Sequence, residues 1–111
     1  MSDVSVVVPL YNEEQSVAML QRELADALTE LDYEIIFVDD GSQDETGARI
    51  APNPRTRVLH FEKNAGQSAA IFAGLQAVRG EIAVLIDGDL QNDPSDIPRL
   101  RSEERRVGKE C

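Results

Sequence analysis

The chain has 111 residues, which suits one domain, and a hydrophobic content of 41%, which is enough for a buried core. Its formal net charge of −10 excludes the overall basic surface expected of a protein that binds nucleic acid or an anionic membrane. One cysteine, Cys111, and one histidine, His60, exclude an internal disulfide and a zinc site built from cysteine or histidine. We expect a reducing compartment, and neither a membrane span nor a signal peptide.

The first strand and helix are predicted at the start of the chain. Residues 4–8 form a β-branched run, VSVVV, which favours a strand that Pro9 ends. Asn12, with Gln15 three residues later, forms a capping-box pattern for a helix start. Apolar residues then recur at steps of three and four, which is typical of an amphipathic helix. They are Val17, Leu20, Leu24, Leu28 and Leu31.

The second strand is predicted over residues 33–38 and runs into the polar sequence DDGS. Ser42 and Glu45 form another capping-box pattern, which predicts a short helix over residues 44–51. Two prolines then stop that helix.

The remaining elements are a third strand over residues 57–61, a helix over residues 67–78 and a fourth strand over residues 82–86. The sequence NAGQ makes a turn before the helix, and Gly80 is expected to cap it in the left-handed conformation. The side chains expected to point inward are Ile71, Leu75 and Val78.

Alternating strands and helices predict an α/β fold with a parallel sheet covered on both faces. The strands are apolar throughout, as burial on both faces requires. Three strands run into polar turns, PLYNEE, VDDGSQDET and IDGDLQND. Because parallel strands end at one edge of the sheet, where open α/β sheets bind ligands, we expect these turns to form a site.

The fourth strand ends in Asp87, Gly88 and Asp89, with Gln91 two residues further on. Two carboxylates and an amide oxygen suit Mg²⁺ or Mn²⁺, ions that usually arrive with substrate phosphates. The same residues also occur in ordinary turns, so the motif alone does not decide between the two.

The turns after the first two strands each allow two interpretations. Asp39 and Asp40 are adjacent acids that repel each other, so one carboxylate needs another partner, such as a ribose hydroxyl or a base amino group. Alternatively, they simply precede a helix start, where negative charge is favourable. Pro9, Tyr11 and Glu13 form either a plain strand stop and helix start or a pocket edge with Tyr11 beside a base.

The turn of Asn64, Ala65 and Gly66 either only precedes a helix or lets the backbone approach a diphosphate. His60, inside an apolar strand, is interpreted as a satisfied structural histidine rather than as a base.

Together these segments resemble the family 2 glycosyltransferases with a GT-A fold, a Rossmann-like, mostly parallel sheet. The matching segments are VSVVVPLYNEE, YEIIFVDDGSQDET, FEKNAGQSAAIFAGLQAVRGE and AVLIDGDLQNDP. The run DGDLQNDP is most similar to the polyprenyl-phosphate sugar synthases of the dolichol-phosphate mannosyltransferase type. The residues that the resemblance implies are Pro9, Tyr11, Glu13, Asp39 and Asp40 for the nucleoside, Asp87 and Gly88 for the ribose or diphosphate, and Asp87, Asp89 and Gln91 for the metal, with Asp89 catalytic.

The resemblance implies transfer of a hexose from a nucleoside diphosphate sugar to a polyprenyl phosphate, with Mg²⁺ or Mn²⁺. The full-length parent would work in the cytoplasm at the inner face of the membrane. The acceptor site and the membrane contact would lie in a missing half, so the fold here is truncated. The alternatives are a family 2 transferase with a polysaccharide or sugar hydroxyl acceptor, and a non-catalytic nucleotide-binding module.

Residues 101–111, RSEERRVGKEC, differ from the native-like residues 1–100 because their charges are dense and the apolar pattern is lost. They hold one aliphatic residue, Val107, too few for a packed helix face. They also match the translation of a sequencing-adapter oligonucleotide, so we expect a non-native tail, the alternative being a charged helix end. The edge left by a missing half should leave the fragment poorly soluble or marginally stable.

Overall fold

The computed structural model describes residues 3–86 of the chain. The predicted acidic turn with Asp87, Gly88, Asp89 and Gln91 lies outside these residues, and so does the tail over residues 101–111. The described elements are strand β1 (Val4–Leu10), helix α1 (Val17–Ala27), strand β2 (Tyr33–Asp39), a 3-10 helix (Gly47–Arg49), strand β3 (Thr56–His60), helix α2 (Gln67–Gln76) and strand β4 (Ile82–Leu85).

All four described strands are parallel and form one sheet in the order β3-β2-β1-β4. In the register of this sheet, Val4 of β1 lies between Tyr33 of β2 and Ile82 of β4. The carboxyl ends of β1 and β2 also coincide, because Leu10 is opposite Asp39. The predicted parallel α/β sheet is therefore confirmed.

The sheet is covered on both faces, as predicted. Alternate residues of a strand point to opposite faces, so Val6 packs with the α1 leucines while Val7 packs with Ala70 of α2. The two central strands are buried along almost their whole length, which explains their unbroken apolar sequence. The predicted inward residues of α1 are all buried or packed against the core: Val17, Leu20, Leu24, Leu28 and Leu31.

Pro9 does not end the first strand, because β1 continues to Leu10. The Val7 carbonyl accepts a hydrogen bond from the Ile86 N–H of the β4 segment, 3.1 Å away. Pro9, two residues further on, faces the same neighbour, but beyond Leu85, the last residue of β4. To continue the parallel ladder, the N–H of residue 9 would have to donate to the Ile86 carbonyl, and proline has no N–H. The pairing of β1 with β4 therefore stops here, while β1 continues beside β2 to Leu10.

Both predicted capping boxes are wrong. Helix α1 begins after Ser16, and the 3-10 helix, much shorter than the predicted helix over residues 44–51, begins after Thr46. Neither cap side chain makes a capping hydrogen bond to its own helix. Asn12 and Ser42 instead bond the two loops together: the Asn12 N–H donates to Ser42 Oγ at 2.9 Å, and the Gln43 N–H donates to Asn12 Oδ1 at 2.9 Å. Tertiary partners have replaced the local ones.

The prediction for the inward face of α2 is wrong for Leu75. Ala70 and Gly74 are the buried residues, whereas Leu75 is 42% exposed. A Cβ at Gly74 would overlap a methyl group of Val7, so small residues let the helix approach the sheet closely. Of the predicted inward residues, Ile71 is half-buried and Val78 packs against the core beyond the helix end.

Gly80 is not a left-handed cap, because Gly41 and Gly66 are the glycines with positive φ among the described residues. It lies beside Ser5, whose hydroxyl accepts the Gly80 N–H at 2.8 Å. A Cβ at Gly80 would come within 2.8 Å of that same Ser5 Oγ, so this glycine serves close approach of two chains.

Glu34 anchors the amino end of the sheet, although it lies in a central strand. Its carboxylate accepts hydrogen bonds from the Ser5 hydroxyl at 2.5 Å, the Arg79 N–H at 2.8 Å and the Arg57 guanidinium at 2.8 Å. Burial raises the pKa of the Glu34 carboxyl, but the bonds from Ser5, Arg79 and Arg57 outweigh it and hold the pKa below its ordinary value. Glu34 is therefore ionised at neutral pH.

Candidate functional site at the carboxyl edge of the sheet

The turns that follow β1 and β2 meet at one edge of the sheet, as predicted from the parallel order. Leu10 and Asp39 end their strands side by side, and the Asp40 N–H donates to the Leu10 carbonyl at 2.8 Å. His60 ends β3 opposite Asp39. The carboxyl edge therefore places Asp39 and Asp40 between the ends of two neighbouring strands.

Asp39 is 8% exposed, and its two oxygens have different neighbours. Oδ1 accepts the Ser42 N–H at 3.1 Å, and Oδ2 lies 3.5 Å from Nδ1 of His60. The His60 side chain is 60% exposed. The interpretation of His60 as a structural histidine inside an apolar strand is therefore wrong about its burial, because the side chain lies at the surface. Gly47 lies beside the pair, where a Cβ would come within 3.0 Å of Asp39 Oδ2.

Asp40 is 3% exposed, and both of its oxygens bond the turn before α2. Oδ1 accepts the Ala65 N–H at 2.7 Å, while Oδ2 accepts the Gly66 N–H at 3.0 Å and the Asn64 amide at 3.1 Å. One of the two adjacent acids thus has its partner inside the protein. The Ala65 and Gly66 N–H groups are directed at Asp40, which favours the plain-turn interpretation of this segment over a diphosphate cradle.

Gly41 permits this arrangement. Its φ of +71° is a left-handed conformation that side chains rarely adopt, and a Cβ there would overlap the backbone of Lys63 and Asn64. The turn after β2 and the turn before α2 therefore pack backbone to backbone.

The turn after β1 lies against the turn after β2 and supplies the other predicted residues of the edge. Pro9 is half-buried within β1, Tyr11 is 42% exposed, and Glu13 is half-buried. The Glu13 N–H donates to Thr46 Oγ1 at 2.8 Å, and the Glu13 carboxylate accepts a hydrogen bond from the Ser16 hydroxyl at 3.3 Å. Tyr11 is thus free to meet a ligand at the surface, whereas Glu13 partly serves the helix start.

Sequence reasoning missed the residues that join these two turns. Asp44 accepts from both the N–H and the hydroxyl of Thr46 and from the Glu14 N–H, and Glu14 accepts the Glu45 N–H at 2.9 Å. Partial burial raises the pKa of the Asp44 carboxyl, but its bonds from Thr46 and Glu14 outweigh it and hold the pKa below the ordinary value. The density of Ser, Thr and Asp in DDGSQDET was the available signal.

Residue 86 is the last described residue, and it lies near the same edge. Its N–H bonds to Val7, three residues before the end of β1, and Asp87 and Asp89 follow it by one and three residues in sequence. Within residues 3–86 the structure contains no group of three acids, histidines or cysteines able to hold a metal. The predicted metal ligands Asp87, Asp89 and Gln91 all lie outside the described part of the chain.

Residues 5–104 match the family described as Glycosyl transferase family 2. The chain belongs to glycosyltransferase family 2. The match covers nearly all of the sheet and the turns at its carboxyl edge, together with the segment that follows β4. The family resemblance inferred from the sequence is therefore confirmed.

Two relatives show what kinds of glycosyltransferase this family 2 chain is similar to. It is 44% identical over 108 residues to an undecaprenyl-phosphate 4-deoxy-4-formamido-L-arabinose transferase of Pseudomonas fluorescens, covering 90% of this chain and 32% of the relative. It is 45% identical over 112 residues to a dodecaprenyl-phosphate galacturonate synthase of Rhizobium johnstonii, covering 94% of this chain and 33% of the relative. The chain spans about a third of the length of these curated relatives.

Solved structures agree on the GT-A fold. Glucosyl-3-phosphoglycerate synthase from Mycobacterium tuberculosis, in complex with UDP, matches with a TM-score of 0.74 and 31% identity, over 92% of this chain and 39% of that one. A mannosyltransferase from Pyrobaculum calidifontis, in complex with GDP-Man and Mn²⁺, matches with a TM-score of 0.66 and 26% identity, over 86% and 32%. The described helices of our family 2 chain include none that is long and apolar enough to cross a bilayer.

Proposed function

We propose that the full-length parent transfers a hexose from a nucleoside diphosphate sugar to a polyprenyl phosphate in a metal-dependent reaction. The observation that carries this proposal is the carboxyl edge, where Asp39 and Asp40 lie beside the end of β1, and residue 86, which the acidic sequence follows, lies on the other side of β1. Similarity to transferases named for undecaprenyl and dodecaprenyl phosphate supports the acceptor class. The parent would work at the cytoplasmic face of the membrane.

The donor would lie across the carboxyl edge. We infer that Pro9, Tyr11 and Glu13 border the nucleoside and that the Asp39 carboxylate forms a hydrogen bond with the nucleoside. One oxygen of this carboxylate lies near the exposed His60. Asp40 would contribute by holding the turn of residues 64–66 in place. The diphosphate side and the metal would fall to Asp87, Gly88, Asp89 and Gln91.

Carboxylate and amide oxygens fit a hard divalent cation, Mg²⁺ or Mn²⁺. When bound, such an ion neutralises charge on a departing diphosphate. A lipid phosphate acceptor has a second pKa of about 6, so it is largely anionic at neutral pH and needs no general base. A sugar hydroxyl acceptor would need one.

The 111-residue chain is expected to bind UDP or GDP more tightly with Mn²⁺ than without it, since the cation offsets repulsion between the acidic edge and the diphosphate. Calorimetry with each nucleotide, with and without Mn²⁺, measures this. Asp89→Ala should abolish the gain from Mn²⁺, whereas Asp26→Ala, on the exposed side of α1, should keep it. Equal gains in Asp89→Ala and in the parent sequence would refute the metal assignment.

The chain alone is not expected to transfer sugar, because it spans about a third of its relatives and we assign the acceptor site to the remainder. A radiolabelled-donor assay with polyprenyl phosphate measures transfer by the purified chain and by a full-length version. The full-length enzyme should be active and should lose activity with Asp89→Ala. Transfer by the 111-residue chain itself would show that the acceptor site is wrongly assigned, and nucleotide binding without transfer at any length would indicate a non-catalytic module.

A further inference from the structure

Three arginines gather at the amino end of the sheet, opposite the carboxyl edge. Arg55 and Arg57 lie at the start of β3, and Arg79 precedes β4. Together with Asp32, Tyr33 and Glu34 they line a cleft with a volume of about 720 Å³, here called the arginine cleft. The whole chain has 21 acidic against 11 basic residues, so this local excess of positive charge runs against its composition.

Two of these arginines are held in place by partners inside the protein. Arg55 bonds the Asp32 carboxylate at 3.2 Å and the Tyr33 carbonyl at 3.0 Å, and its guanidinium lies 4.7 Å from the centre of the Tyr33 ring. Arg57 bonds the buried Glu34 carboxylate through Nε and Nη2, and also the Ala77 carbonyl. These contacts fix two planar guanidinium groups at the cleft and leave some N–H donors of each unused.

Arg79 differs from the other two. Its backbone N–H donates to Glu34, but among residues 3–86 its guanidinium makes no hydrogen bond or ion pair. Asp32 and Glu34 offset the charges of Arg55 and Arg57, so the charge of Arg79 is the one left over. An arginine with its full set of donors, beside two oriented guanidinium groups, is suited to the tetrahedral oxygens of a phosphate.

We propose that the arginine cleft binds a phosphate group, either free phosphate or a phosphate monoester, through Arg79 with Arg55 and Arg57 beside it. This site is separate from the donor site, because it lies at the opposite ends of β2 and β3. It gives this otherwise acidic chain one surface that favours an anion. The proposal stands independently of the transferase function.

The test is a titration of the isotopically labelled 111-residue chain with inorganic phosphate, followed by NMR on the arginine Nε–Hε signals. Chloride at matched ionic strength is the reference for simple screening. We expect the Arg79 signal to shift in a saturable way with phosphate and not with chloride. A shift that is linear in both salts would overturn the proposal.

Arg79→Gln should weaken phosphate binding about tenfold, or roughly 1.4 kcal/mol. Arg79→Lys should retain part of the affinity, because a point charge remains without the fork of donors. Arg22→Gln, on the exposed surface of α1, is the matched control and should bind phosphate as the parent does. Unchanged affinity in Arg79→Gln would overturn the assignment even if the protein binds phosphate elsewhere.

The source of the phosphate is separated by two further ligands. Glycerol 3-phosphate in solution that shifts the same Arg79 signal points to a soluble monoester. Sedimentation with vesicles that contain phosphatidic acid, but not with pure phosphatidylcholine, points to a lipid headgroup, provided that Arg79→Gln abolishes it. The gain in UDP affinity from Mn²⁺ should be the same in Arg79→Gln and in the parent, so failure here is distinguishable from failure of the proposed donor site.

Discussion

Asp40→Asn is expected to lower the free energy of unfolding by about 3 kcal/mol, the size of effect seen when a buried charged acceptor is lost. The carboxylate is 3% exposed and accepts from the Ala65 N–H, the Gly66 N–H and the Asn64 amide, using both oxygens. An asparagine amide has one acceptor oxygen, so its NH₂ group must face at least one of these donors. At least one of these donors then loses its partner on the buried carboxylate.

Urea unfolding followed by circular dichroism measures the change in stability. Asp26→Asn is the matched control, because Asp26 is exposed on α1, and it should stay within about 0.5 kcal/mol of the parent. Hydrogen exchange at Ala65 and Gly66 should also be faster in Asp40→Asn, since their acceptor is lost. If Asp40→Asn unfolds at the same urea concentration as Asp26→Asn, the turn before α2 does not depend on this carboxylate.

Glu34→Gln is expected to destabilise the protein by about 3 kcal/mol at neutral pH, because it breaks a largely buried ion pair and leaves Arg57 without its charge partner. The Glu34 side chain is 8% exposed, and its carboxylate accepts from Ser5, Arg79 and Arg57. Glutamine keeps the shape but places an NH₂ group against one of these donors. Glu23→Gln, on the exposed side of α1, is the matched control.

The effect of Glu34→Gln should depend on pH in one direction. The bonds to Glu34 hold its pKa in the folded protein below the ordinary value of 4.5. The unfolded chain therefore takes up the proton first as pH falls, and the stability that Glu34 contributes is complete above 4.5 and declines as pH falls through the lowered pKa. The parent and Glu34→Gln should thus differ most at neutral pH and converge in acid.

Unfolding free energies of both proteins, measured from about pH 7 down to about pH 3, check this expectation. Because both chains share every other carboxylate, the difference between them isolates Glu34. A difference that stays constant over the whole range would mean that the ionised form of Glu34 is not what stabilises the amino end of the sheet.

The sequence by itself determined the parallel α/β sheet, the buried stripe of α1 and the edge at which the polar turns meet. These are the features that repeat over many residues: a β-branched run such as residues 4–8 and leucines at helical spacing from Leu20 to Leu28. The sequence also identified the family, because its motifs occur in the family's order along the chain. The match to family 2 confirms this resemblance. The metal ligands Asp87, Asp89 and Gln91 stay predictions.

The tertiary structure decided where single polar side chains find their partners. Asn12 and Ser42 fit local capping boxes, but they bond each other's turn, 30 residues apart in the chain. Asp40 reaches 25 residues forward to Ala65, and Arg55, Arg57 and Arg79 gather at one cleft in a chain of net charge −10. A hydrogen bond depends on one donor and one acceptor within about 3 Å, a condition that no periodicity encodes. Only the packing of α1, α2 and the turns around the sheet brings such pairs together.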